Sequence, residues 1–358
     1  MKRFSPLVQV GLMSAGLLLM GAGCISIGSS GSANQQTVDG SFFRSGDKGA
    51  TWERKIALPT AKGLGSIAAA NVTHIVQNVG YPQLLMLGTN NVGVLFSTDR
   101  AETWQQPAQL KDGNVGALAL HPTDKCTSFV AVGNKLLRST DCALTYEISY
   151  VDARPAAAIT SVVVDFYDPR RIYIATSEGD LLRSTDGGGA WGAMNRFDSG
   201  VVKIVMSASD SRVLWVGLKD RGFWRTNDAG ATWTDLTRTM DEFSGARAMT
   251  DLVEDRTVPG TIIHASRYGL LKSVNSGDTW TRMNIVTPPE SAQITALAVN
   301  PKNGQEIYYA VGTTLYASSD GGQTWVTRRS PAPRLATAFA VDLETGGAVY
   351  MGMSQPKK

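Results

Sequence analysis

Residues 318–325 read SSDGGQTW, and the same eight-residue pattern occurs six more times. The other copies are SGDKGATW (45–52), STDRAETW (97–104), STDCALTY (139–146), STDGGGAW (184–191), TNDAGATW (226–233) and SVNSGDTW (273–280). Their terminal aromatics fall at 52, 104, 146, 191, 233, 280 and 325, giving intervals of 52, 42, 45, 42, 47 and 45. Six of the eight tryptophans occupy this one place, which chance does not supply. A fixed period of this length marks a repeat architecture and has to be read before anything else.

The chemistry of the pattern is that of a tight turn. Ser or Thr and Asp side chains accept backbone N–H groups. Gly provides a left-handed position without a Cβ penalty. The closing Trp begins a strand and buries a large ring. Ala101 and Ala143 stand where the other copies have Gly, and Asn275 stands where they have Asp. These three turns are expected to be strained or differently shaped.

The flanks complete the unit. ITSVVVDFYDPRRIYIATSEGDLLRS precedes the turn at 184, and ITALAVNPKNGQEIYYAVGTTLYAS precedes the turn at 318. Each reads strand, turn, strand, tight turn, strand, and a short fourth strand follows, as in WTDLT at 233–237. Four strands in about 45 residues is the pattern of a propeller blade. Before the first turn only GSFFRS (40–45) is available, whereas two extra strands, 335–341 and 347–353, follow the last. The N-terminus therefore supplies strands three and four of one blade and the C-terminus strands one and two. This pairing closes the ring and leaves no open edge between first and last blades. The expected fold is all-β, a seven-bladed propeller of four-stranded blades over residues 37–354, with a tail at 355–358.

The N-terminus reads as an address. Met1-Lys2-Arg3 is basic, residues 7–20 are apolar, and Gly21-Ala22-Gly23 precede Cys24. That is the layout of a secretory signal. Its end resembles a bacterial lipobox, although Gly21 stands where Leu is usual. The resemblance implies removal of 1–23, diacylation of Cys24 and a lipid anchor on the outer face of a bacterial membrane. Residues 24–36, rich in Gly, Ser, Asn and Gln, are expected to act as a tether.

Composition sets further limits. Of 358 residues, 43% are apolar and 18% charged, which is globular composition. Lys and Arg number 34 against 31 acids, and without Lys2 and Arg3 the excess is one charge. That is too little for a nucleic-acid footprint, so no nucleic-acid partner is expected. Three His and three Cys supply a His/Cys metal site poorly, and no metal or cofactor is expected. His74, His121 and His264 fall in different repeats. Gly187, Gly189 and Gly192 match G-x-G-x-x-G formally, but in a turn rather than between strand and helix. The chain is expected to be monomeric.

Cys126 and Cys142 flank a hairpin that turns at Gly133-Asn134. With that turn, facing positions sum to 267, so 126 faces 141, one residue from Cys142. Neighbours on antiparallel strands are within disulfide reach, and export favours oxidation. A disulfide is expected here.

The pattern S-x-D-x-G-x-T-W resembles the Asp-box, or BNR, repeat of sialidases, xyloglucanases, sortilin-type receptors and photosystem II stability/assembly factor-like proteins. The resemblance covers essentially the whole chain after the signal. It implies that Asp47, Asp99, Asp141, Asp186, Asp228, Asn275 and Asp320 are turn residues, and that ligands bind on the rim opposite the boxes. That rim comprises the connections between blades and the turns between second and third strands. It would carry Arg154, Lys219, Arg221, Arg247, Arg267, Tyr268 and Arg334, a positive mouth suited to a carboxylate, a sulfate or an acidic partner. Two long segments border it. TRTMDEFSGARAM (237–249) is expected to expose Met240 and Phe243, and NIVTPPESAQ (284–293) is stiffened by Pro288-Pro289.

An enzyme is the rival reading. A sialidase needs an Arg cluster, and the family's first Arg lies in an Arg-Ile-Pro-like segment that residues 24–44 lack. A glycosidase needs two opposed carboxylates, for which Asp220, Asp241 and Glu242 are available. A xyloglucanase resembles two facing propellers, and this chain has room for one. The resemblance to assembly factors implies a non-catalytic scaffold on a membrane complex. A sortilin-like version of it would hold a peptide.

Overall fold

Each of seven successive segments begins with a strand of six or seven residues and runs outward through antiparallel neighbours. The computed structural model describes residues 39–291 and 293–356. The signal segment 1–23, Cys24 and the tether to residue 36 lie outside the described residues. Blade 1 spans 72–105, blade 2 115–151, blade 3 159–196, blade 4 201–235, blade 5 249–282 and blade 6 294–329. Blade 7 joins Leu335–Val341 and Val349–Ser354 to Phe42–Ser45 and Glu53–Arg54. Phe42 faces Gly352 and Ser45 faces Val349. The chain is thus a seven-bladed β-propeller closed by pairing of its two ends. One short 3-10 helix, Thr237–Met240, interrupts the strands.

Six blades form four-stranded sheets, but blade 1 does not. Its fourth strand shrinks to a single bridge between Phe96 and Gln105, and Pro107 follows two residues later. A proline cannot donate to the ladder. The uncovered edge is occupied by an inserted hairpin, Ala57–Thr60 paired with Gly63–Ser66. Ala57 bridges Thr103 in parallel, and its carbonyl accepts the Trp104 N–H at 2.8 Å.

The boxes share one geometry. The first Ser or Thr hydroxyl donates to the Asp and accepts the N–H four residues on, as Ser318 does from Gly322 at 2.8 Å. The Asp accepts the amide of a residue four further on, and usually a Thr hydroxyl as well. Asn275 keeps the turn by donating its amide N–H to Thr279 Oγ1 at 2.9 Å. The expectation of differently shaped turns is therefore corrected: Ala101 and Ala143 make the same bonds. They do so at φ of 68° and 64°, in the left-handed region. Their methyls lie buried among the blades. At Gly230 and Gly322 the corresponding space is filled by Met194 and Met283. The buried methyl, worth about 0.8 kcal/mol, offsets much of a left-handed cost of about 1–2 kcal/mol.

The box aromatics clamp neighbouring blades together. Trp104 packs edge-on against Phe42 of blade 7 at 4.9 Å, and Trp280 against Phe223 of blade 4 at 5.2 Å. Their indole N–H groups donate to Lys55 O and Thr239 Oγ1, both on the preceding blade's connection.

Hydrogen bonds hold four box carboxylates, Asp47, Asp141, Asp228 and Asp320, at pKa values of about 2. The Thr51 amide is the largest cause for Asp47, and the Thr hydroxyl of the same box for the other three. A depressed carboxylate pKa stabilises the fold above the unfolded value and ceases to do so as pH falls through the folded one. Burial holds His74 and His264 down to about 4, so they disfavour the fold as pH drops from about 6.5 towards 4. Thermal melts should therefore fall in two windows, about 6.5 to 4 and about 4 to 2. His264→Gln should shrink only the upper one.

Candidate functional site

The rim opposite the boxes is built by the turns between second and third strands, and it holds most of the charged residues singled out above. The structure sorts them. Arg154 lies between Asp152 at 2.8 Å and Asp180 at 2.5 Å. Arg247 pairs with Asp241. Arg334 is only 2% exposed; it bonds Asp39 at 2.6 Å and the Ala70 carbonyl at 2.9 Å. It is thus a structural tie between blade 7 and the approach to blade 1, which corrects its assignment to a ligand face. Arg334→Met, which can make neither contact, should cost about 2 kcal/mol, read from the denaturation midpoint. Lys219, Arg221 and Arg267 are exposed and have no ion-pair partner among the described residues.

These three cations stand on the turns of adjacent blades 4 and 5, and the 237–249 segment packs between them. Gly222 N–H donates to Arg247 O, and Arg267 N–H to Ala248 O. The segment does not expose Met240, which is 1% exposed and packed with Phe223 and Trp280. Phe243 is half-buried edge-on against Tyr268 at 5.2 Å. An apolar side chain beside a 3-10 turn could point either way in sequence, and the hydrophobic cluster of blades 4 and 5 takes it inward. His264, fully buried, bonds the Ala246 carbonyl at 2.7 Å and fixes the segment from below. The 284–293 segment reaches the same place, with Glu290 N–H donating to Arg267 O. The result is a rigid wall with a half-buried aromatic pair and three exposed cations.

Asp220, Asp241 and Glu242 are exposed on this rim, and Asp241 is committed to Arg247. A glycosidase needs two carboxylates flanking the scissile bond; Asp220 stands at the blade 4 turn, and Asp241 and Glu242 stand in the 237–249 segment. Among the described residues no group of three or more His, Cys, Asp or Glu is arranged to hold a metal.

The axial channel carries a second polar cluster that the repeats did not announce. Every inner strand has one bulged residue: Thr73, Gly116, Thr160, Val202, Thr250, Thr295 and Thr337. Thr160 and Thr295 each donate to the next blade's inner strand at 2.6 Å, and Thr337 donates to Val72 O at 2.5 Å. At Gly116 a Cβ would meet the Ile159 carbonyl at 2.5 Å, so glycine is required there. One residue further on, Lys203 of blade 4 pairs with Asp251 of blade 5 at 2.5 Å. Burial is the largest cause of the low His74 pKa; the Lys203 cation lowers it further and the Asp251 carboxylate raises it. The recurring Thr at the start of the first strands was the signal that could have pointed here.

On the box side, Cys126 and Cys142 are joined as a disulfide, and Cys142 N–H donates to Cys126 O at 3.1 Å. The strands between them pair Val132 with Lys135 and Ser128 with Ser139. A cavity of about 210 Å³ opens beside the disulfide, lined in part by Tyr81, Met86, Phe96 and Leu120.

Comparison with known proteins finds the fold widely. No family model matches the chain. A stretch of 79 residues is 33% identical to a probable oligoxyloglucan-reducing end-specific xyloglucanase of Neosartorya fischeri, over 22% of this chain and 10% of that protein. The GH74 xyloglucanase of Xanthomonas campestris superposes with a TM-score of 0.67 at 16% identity, over 80% of this chain and 51% of its own. The chain thus spans about half the length of that enzyme. YCF48 bound to a D1 peptide superposes at 0.61 and 15% identity, over 83% of this chain and 95% of its own. The extracellular domain of a one-component system from B. thetaiotaomicron superposes at 0.59 and 15% identity, over 81% of this chain and 42% of its own. At these identities the likeness is one of fold.

Proposed function

We propose that the chain is a non-catalytic binding module, exported and held at the outer face of a bacterial membrane by lipid on Cys24. Its rim around Lys219, Arg221, Arg267 and Tyr268 takes an acidic protein or peptide segment, or an acidic glycan. The observation that carries this reading is the exposed cationic trio on a wall fixed by buried contacts. A preorganised surface loses little entropy on binding. The similarity to YCF48 along nearly the whole length of that chain supports a single propeller acting alone. Help in assembling a membrane complex is the form of the role the reading favours.

The test is affinity purification of the lipidated protein from gently solubilised native membranes, beside a Lys219→Glu/Arg221→Glu/Arg267→Glu variant. A stoichiometric partner should be lost from the variant, with affinity falling about tenfold or more at low salt and the melting temperature unchanged. A partner retained by the variant would sink the assignment of this face.

A glycoside hydrolase is the second reading, favoured by the local identity to the xyloglucanase. It requires that Asp220→Asn, Asp241→Asn or Glu242→Gln abolish sugar release from xyloglucan or sialosides. The binding reading expects no release from the unaltered protein.

A further inference from the structure

Four seams between blades are closed by the same contact. Arg44 of blade 7, Arg183 of blade 3 and Arg225 of blade 4 each stand one residue before their own box. Each donates to the carbonyl of the fourth residue in the next blade's box, reaching Arg100 O at 3.0 Å, Ala229 O at 3.4 Å and Ser276 O at 3.0 Å. In blade 6 Ala317 holds that place, and Arg328 of the fourth strand reaches the matching carbonyl, Lys48 O, at 2.9 Å. A guanidinium thus fills each of these seams and satisfies the box carbonyl there.

Blade 1 has neither arrangement. Phe96 stands before its box, and its fourth strand, the source of the substitute in blade 6, is reduced to one bridge. The fourth residue of the next box is Cys142, whose carbonyl accepts no hydrogen bond among the described residues. The space left is the cavity of about 210 Å³ between blades 1 and 2, where Phe96 and Cys142 are joined by Tyr81, Met86 and Leu120. The cavity is the imprint of a missing planar donor.

The walls narrow what can replace that donor. Two aromatic rings, a methionine and the disulfide give soft, apolar surfaces that pack well against another ring. A cavity of roughly 150 Å³ is enough for benzene, so this one has room for a hydroxyl and a methyl group as well. No Asp or Glu lines it. Lys125, on its wall, is exposed and in no ion pair among the described residues. A cationic ligand would therefore be buried without a counter-charge and repelled by Lys125. A neutral ring with one O–H meets both needs, apolar packing and a donor for the carbonyl.

We propose that this cavity is a binding site for a free small phenol, its ring packed on Phe96 and its hydroxyl donating to the Cys142 carbonyl. The site lies on the box side and is independent of the role proposed for the rim of Lys219, Arg221 and Arg267.

Titration calorimetry with p-cresol tests it. p-Cresol should bind, and its failure to bind overturns the site. Toluene has the same ring and methyl without the donor, and should bind about fivefold more weakly, the worth of one net hydrogen bond. Equal binding of toluene would overturn the role of Cys142 O. N-acetyltyrosinamide carries the same phenol on a backbone too large for the cavity, and should bind at least tenfold more weakly than p-cresol. Equal binding there would assign the pocket to a tyrosine side chain of a partner and overturn the free ligand. Phe96→Arg restores the contact of the other seams. It should leave the melting temperature unchanged or higher and abolish p-cresol binding; binding that survives overturns the location. Should that variant not fold, the location is read in the unaltered protein from isotope-labelled methionine methyls. p-Cresol should shift the Met86 resonance, and an unmoved Met86 beside measurable binding would place the ligand elsewhere and overturn the assignment.

Discussion

Trp104→Ala is expected to destabilise the propeller by about 3–5 kcal/mol, the range for emptying a large buried aromatic site. The ring is fully buried. It stands at the seam where blade 1 meets blade 7, packed edge-on against Phe42. Its indole N–H also holds Lys55 O, at the base of the inserted hairpin. Loss of the ring leaves a cavity, an unpaired carbonyl and a loosened cover on the weakest blade edge. Two contributions can be separated. Trp104→Phe keeps most of the buried area and removes the hydrogen bond, so it should cost about 1 kcal/mol beyond the change in volume. Denaturant unfolding midpoints measure both. Limited proteolysis should then cut the Ala variant first within 57–66. A cost under 1 kcal/mol for Trp104→Ala would mean that the seam closes without the clamp.

The second large effect belongs to the disulfide. Replacing Cys126 and Cys142 together with Ser should cost about 3 kcal/mol, the chain-entropy value for a loop of this length. The third box gives a further reason to expect the full value. Cys142 and Ala143 are both left-handed, at φ of 61° and 64°, without a glycine in the turn, and Leu144 is 71% exposed. The bond holds a turn whose backbone is otherwise disfavoured. A reductant should lower the denaturation midpoint of the parent protein towards that of the double variant and leave the variant unmoved. A parent protein indifferent to reductant would rule out a stabilising bond.

The sevenfold fold was legible because the box is local chemistry. Ser, Asp, Gly and Thr at fixed offsets bond one another whatever surrounds them, and the spacing counts the blades. Ring closure was legible for a related reason, since an unpaired strand at each end has one place to go. Ion pairing was not legible. Arg154 finds Asp180 from the next blade and Arg334 finds Asp39 almost 300 residues away, and no local pattern encodes such meetings. Met240 illustrates the same limit, since its burial depends on Phe223 and Trp280 of the blades around it. The channel cluster fell between these cases. Its threonines repeat visibly, but Lys203 and Asp251 each occur once, and only the packing of blade 4 against blade 5 brings them together.

That closure also imposes a timetable. The strand Phe42–Ser45 is among the first parts of the propeller to be synthesised, and its hydrogen-bonding partner, Val349–Ser354, is the last. At roughly 5–20 residues per second, synthesis of the intervening 300-odd residues takes on the order of 15–60 s. Throughout that time the early strand has an unsatisfied edge, and each new blade adds to an arc that is still open. The molecule is finished only when its final strand arrives. Loss of those last few residues would therefore leave the earliest strand without its partner, however well the intervening blades had formed.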